Sequence, residues 1–203
     1  MATSNRSARW TIFRTPILRQ VLGWVSTVLL WAFRWKTIVV LPDAPKVVLV
    51  VAPHTSYWDL PVGLAAALKH GIDAHWLGTH RLFRGPGGPL FRWLGGIPVD
   101  RTRRNGLVAS VVEALDADEH VMLAVAPEGT RFLRDHWKTG FYRIALGAGV
   151  PLWLASLDYG TRTVRADTLL SLTGEAATDF ARIGEFYAGV RAKNPGWFTP
   201  PTG

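Results

Sequence analysis

From residue 46 onward, unbroken apolar runs alternate with segments whose apolar positions fall three and four apart. Residues 46–52, KVVLVVA, are apolar at every position after the lysine, as in a strand covered on both faces within a parallel sheet. Residues 120–126 and 151–157 repeat the pattern, and 72–78 read as a further strand. Between these runs, 58–70, 107–117, 139–146 and 178–193 have helical spacing. Asp59 and Pro61 lie near the start of the first helix, where an acidic residue and a proline are favoured. A short strand is expected just before Arg101. Residues 81–96 are rich in Gly and Pro and place Arg81, Arg84 and Arg92 among apolar side chains. This alternation predicts a single α/β domain, a largely parallel central sheet flanked by helices. In such sheets functional loops lie beyond the carboxyl ends of strands, which directs attention to residues 53–59 and 127–131.

Ahead of the domain, residues 17–33 are mostly apolar. Only fourteen residues separate Arg19 from Arg34, about 21 Å of helix against a hydrocarbon core of roughly 30 Å. No small-residue cleavage site follows, so the segment does not read as a signal peptide. Arg19, Gly23, Ser26, Thr27 and Arg34 follow helical spacing and form a narrow polar stripe on an otherwise apolar cylinder. Two readings stand: a helix lying in a membrane interface, with Trp at headgroup level and Arg reaching phosphates, or a helix packed on the domain. The chain divides into a basic, Trp-rich membrane-surface segment (1–42), one domain (43–193) and a loose, proline-containing tail (194–203).

Composition narrows the function classes. With 48% hydrophobic and 19% charged residues in 203, the chain is not intrinsically disordered. It has no Cys, which excludes disulfides, a thiol nucleophile and thiolate metal sites. The net charge is +8, and the first 42 residues hold six basic and no acidic side chains, interleaved with Trp10, Trp24, Trp31 and Trp35. Such a start suits a membrane surface or nucleic acid. A non-catalytic nucleic-acid-binding or lipid-binding protein is therefore the alternative to an enzyme, although no nucleic-acid motif, P-loop, GxSxG or dinucleotide fingerprint occurs. His70, His75 and His80 recur every five residues, which is not the spacing of a helical zinc pair.

Three segments carry possible chemistry. In PHTSYWD, Asp59 follows His54 by five residues. A turn into a helix can return the carboxylate to one imidazole nitrogen and make the other a base for a hydroxyl. In APEGTRF, Glu128, Gly129, Thr130 and Arg131 present a carboxylate, a flexible glycine, a hydroxyl and a guanidinium suited to a hydroxylated, phosphorylated group. In LGGIPVDR, Arg101 ends a short apolar stretch and is trailed by Arg103 and Arg104.

In this order, these segments resemble the blocks of the glycerolipid acyltransferase superfamily, specifically the 1-acylglycerol-3-phosphate (lysophosphatidic acid) acyltransferases. His54-Thr55-Ser56-Tyr57-Trp58-Asp59 looks like the HX4D block, Gly95 through Arg101 like the second and Glu128-Gly129-Thr130-Arg131 like the third. Val150-Pro151-Leu152-Trp153 is similar to the fourth, and Lys138 with Gly140 to the Lys-Gly element after the third. Pro98 stands where many relatives carry Phe.

The resemblance, over residues 46–158, implies His54 as general base oriented by Asp59. It implies Arg101, Glu128 and Arg131 at the glycerol phosphate, Gly96 and Gly129 allowing close backbone approach, and Ser56, Thr130 and Lys138 among the substrate-binding residues. It also implies a lysophospholipid acceptor and acyl-CoA or acyl carrier protein as donor, with no metal and no cofactor beyond that co-substrate. The expected place is the cytoplasmic face of the cell membrane, peripheral or monotopic, with no nucleic-acid partner.

Overall fold

A computed structural model of the chain describes residues 11–99, 107–116 and 120–201. Seven strands form one sheet: β1 (Lys36–Val39), β2 (Lys46–Ala52), β3 (Ala74–Thr79), β4 (Gly96–Val99), β5 (Val121–Val125), β6 (Leu152–Asp158) and β7 (Thr163–Leu170). Their order across the sheet is β1-β7-β6-β2-β5-β3-β4. β2 to β6 are mutually parallel. β7 runs antiparallel to β6, and β1 is parallel to β7. The helices are α1 (Pro16–Ala32), α2 (Asp59–His70), α3 (Gly88–Trp93), α4 (Leu107–Asp116), α5 (Gly140–Ala148) and α6 (Ala176–Tyr187).

The central strand explains the layers. β2 directs Val48, Val50 and Ala52 into a core shared with Val111, Phe141, Ile144 and Ile183 of α4, α5 and α6. Val47 and Leu49 point to the opposite face, against Ile72, Trp153 and Ala155. A strand buried on both faces needs an apolar side chain at nearly every position, each burial contributing roughly 1.5–3 kcal/mol. The α/β class and parallel centre expected from the sequence are thus present.

Three departures have local causes. α6 ends at Tyr187 rather than 193, because Ala188 leaves helical geometry and Gly189 takes a left-handed φ of 76°. β7 escapes the apolar-run pattern because Arg165 and Asp167 lie within it, their side chains bonded to each other at 2.9 Å. The expected loose tail is tied down over residues 194–201: the Asn194 side-chain amide donates to the Thr55 carbonyl, Trp137 Nε1–H to the Thr199 carbonyl, and the Trp197 ring packs on Phe132.

α1 packs on α2, turning inward its small and polar positions together with Leu22 and the buried Leu30. Ser26 is 5% exposed, and a Cβ on Gly23 would come within 3.2 Å of the Leu68 carbonyl oxygen. Thr27 returns its hydroxyl to the Gly23 carbonyl at 2.8 Å, so this face carries no unsatisfied hydroxyl there. Most of its other apolar positions face outward, with Trp24 75% and Trp31 79% exposed beside Ile17, Val21 and Val28. Ile38, Val40 and Leu41 are exposed as well. Among the described residues no helix is long and apolar enough to cross a membrane.

Candidate active site

The loop leaving β2 carries His54 beyond the sheet, and the first turn of α2 brings Asp59 back to it. His54 Nδ1 lies 3.4 Å from Asp59 Oδ2. Asp59 is 3% exposed, and a carboxylate so buried must be satisfied by donors. The Ser56 N–H donates to Oδ2 and the Tyr159 hydroxyl to Oδ1, each at 2.7 Å. The Ser56 hydroxyl accepts the Trp58 N–H at 3.1 Å, so Ser56 shapes the turn that returns Asp59 to His54. With Asp59 on Nδ1, the imidazole is left with Nε2 for chemistry.

The loop leaving β5 supplies the second half. Glu128 is 4% exposed. Its Oε1 accepts the His54 backbone N–H at 2.9 Å, whereas Oε2 has no hydrogen-bond partner among the described residues. Burial pushes its pKa up to about 7; the hydrogen bonds from the His54 and Glu128 backbones act against that rise, and the Asp59 charge adds to it. Gly129 then takes a left-handed φ of 65°, where any Cβ would also meet Lys138 Cδ and Nζ at 3.0 Å. The Lys138 N–H donates to the Pro127 carbonyl at 2.9 Å and closes the loop at its base. The Thr130 hydroxyl accepts the Phe132 N–H at 3.4 Å. Arg131 lies with its guanidinium carbon 4.1 Å from the Tyr57 ring centroid, a cation–π contact between the two loops. Its buried Nε has no hydrogen-bond partner among the described residues.

The fold therefore gathers His54, Ser56 and Asp59 with Glu128 and Arg131 at the carboxyl ends of adjacent strands β2 and β5. One expected role changes emphasis: an oxygen of Glu128 is committed to the His54 backbone. Gly96 starts β4, where a side chain would collide with the Phe91 carbonyl at 2.6 Å and the Phe83 ring at 2.8 Å, so packing alone requires glycine there. Arg101 lies outside the described residues. Tyr159, which directly follows β6, and Tyr57, whose ring meets Arg131, join the site from outside the expected set of residues. The carboxyl-end rule that points to the other two loops reaches Tyr159 as well. Among the described residues no group of three or more His, Asp and Glu is arranged to hold a metal ion.

A model of the family described as Acyltransferase matches residues 39–153, more than half of the chain. The chain belongs to the acyltransferase family. Among solved structures it is similar to the 1-acyl-sn-glycerophosphate (LPA) acyltransferase PlsC from Thermotoga maritima, with a TM-score of 0.53 and 18% sequence identity, over 81% of this chain and 74% of that one. At that identity the likeness concerns the fold. A search of curated proteins finds no match.

Proposed function

We propose that the protein moves a fatty acyl group from an acyl thioester, acyl-CoA or acyl carrier protein, to the free hydroxyl of a lysophospholipid such as 1-acylglycerol-3-phosphate. The observation that carries this reading is the His54 imidazole backed by a buried, doubly hydrogen-bonded Asp59. His54 Nε2 takes the acceptor hydroxyl's proton as its oxygen attacks the thioester carbonyl. The tetrahedral intermediate expels the thiolate, which receives that proton from the imidazolium. Asp59 stabilises the imidazolium in between. The 3.4 Å separation is long for a hydrogen bond, as is common in catalytic pairs before substrate binds. With no Cys in the chain, the transfer passes through no enzyme thioester.

Arg131, and Arg101 by resemblance, would hold the acceptor phosphate. The unpartnered Nε of Arg131 supports this role, because a phosphate oxygen would satisfy it. The net charge of +8 favours capture of anionic substrates generally. The test is thioester consumption with lysophosphatidate, with the product lipid identified by mass spectrometry. Arg131→Ala is expected to raise KM for lysophosphatidate by roughly 10-fold or more, the scale of one charged hydrogen bond. A phosphate-free monoacylglycerol should be little affected. Equal damage with both acceptors would remove Arg131 from the phosphate.

The membrane surface enters the same proposal through α1. Its outward Trp and aliphatic side chains suit the headgroup boundary, where a lysolipid acceptor resides. Arg19 and Arg34, both exposed, are available to lipid phosphates at the expected peripheral or monotopic position on the cytoplasmic face. The protein should float with anionic liposomes at low salt, and Trp24→Glu with Trp31→Glu should leave most of it at the bottom of the gradient. Equal flotation of the double variant would rule out this face.

A further inference from the structure

Asp59 divides its two oxygens between separate parts of the chain. Oδ2 faces His54 and the Ser56 N–H from its own loop, and Oδ1 receives the Tyr159 hydroxyl from a residue one hundred positions later. We infer that Tyr159 is a positioning residue for the His54–Asp59 pair; the inference rests on His54 acting as the base in the reaction proposed above.

The terminal torsion of an aspartate is soft, so a carboxylate held through one oxygen can turn and offer its partner a different edge. Ser56 alone leaves that freedom. The Tyr159 hydroxyl removes it by fixing the second oxygen, which keeps Oδ2 against Nδ1. An imidazole with a fixed acceptor at Nδ1 retains its proton there and keeps the lone pair on Nε2, the form a general base requires.

Tyr159 is itself held firmly. Its ring meets Trp35 edge-on, centroids 5.0 Å apart and planes at 88°. Its N–H donates to the Arg191 carbonyl at 2.8 Å, and Lys193 Nζ lies 5.5 Å from the ring centroid. Burial and the neighbouring Asp59 charge raise the phenol's pKa well above its ordinary value, so the hydroxyl remains a donor throughout the working pH range.

Tyr159→Phe keeps the ring and its packing on Trp35 and deletes only the hydroxyl. The variant and the wild type are compared by nitrogen NMR of ¹⁵N-histidine-labelled full chains above pH 8, with the His54 signals identified by their loss in His54→Gln. The wild type is expected to hold the Nδ1–H tautomer. Tyr159→Phe should show a growing Nε2–H population, with kcat lowered about 10-fold and KM for both substrates within about twofold. A wild-type kcat in Tyr159→Phe overturns the inference. So does a lowered kcat with an unchanged tautomer, which would assign the loss to displacement of the loop. Absence of acyl transfer by the wild type would defeat the proposed function instead, and the tautomer comparison would still decide whether Tyr159 orients the pair.

Discussion

His54→Ala is expected to lower acyl transfer by at least roughly 10²-fold, the lower end of what general base catalysis supplies, with KM for both substrates little changed. The variant removes the proton acceptor and leaves Arg131 and the Tyr57 contact in place, so binding and chemistry separate. Stability should change little, because Asp59 keeps the Ser56 N–H and the Tyr159 hydroxyl after the imidazole is gone. A buried carboxylate with both donors intact does not incur the several kcal/mol of an abandoned charge. Without Cys, no enzyme thioester offers a second route. Free thiol released from acyl-CoA in the presence of lysophosphatidate gives the rate, and wild-type turnover in His54→Ala would end the assignment of His54 as base.

Glu128→Gln is expected to flatten the dependence of thermal stability on pH between about 4.5 and 7. The Glu128 carboxyl is raised from its ordinary 4.5 to about 7 by burial, so the folded chain binds this proton more tightly than the unfolded one. Its stabilising contribution is therefore complete below about pH 4.5. It declines as pH rises through that interval and is fully lost above about 7, a change of roughly 3 kcal/mol. Glutamine retains an oxygen to accept the His54 N–H but does not titrate. Its buried NH₂ adds a cost that is constant with pH, so the slope, not the absolute stability, reports the carboxyl. Melting temperatures of both proteins across this range provide the measurement. Parallel curves would show that Glu128 ionises in the fold as it does in the unfolded chain.

The central strands were legible because burial on both faces leaves a pattern that sequence cannot disguise: β2 matches the expected 46–52 at both ends, and β5 and β6 fall within one residue of theirs. The His54–Asp59 pair was legible for a related reason, since strand, turn and helix follow one another within a few residues. Other features depend on distant partners. The stripe of Gly23, Ser26 and Thr27 was visible, but which side it would face was not, because helix spacing records two faces without naming the solvent. α2 decides it, accepting the small residues at close range. Glu128 reads from sequence as a ligand for substrate; its burial and bond to the His54 backbone come from the pairing of β2 with β5. Tyr159 reaches Asp59 only because β6 lies beside β2.

The reversed direction of the β1–β7 edge sets where a substrate would have to travel. Lys36 opens β1 opposite Thr163, and Thr163 lies opposite Asp158 at the finishing end of β6. The strand following α1 thus starts at the same end of the sheet as His54, with Trp35 against Tyr159 at the junction. Had β1 run with the central strands, its first residue would lie at the far end of the sheet. On the proposed reading, with a bilayer covering α1, a lysolipid would approach the imidazole by lateral diffusion along the leaflet, a two-dimensional search that keeps its acyl chain out of water.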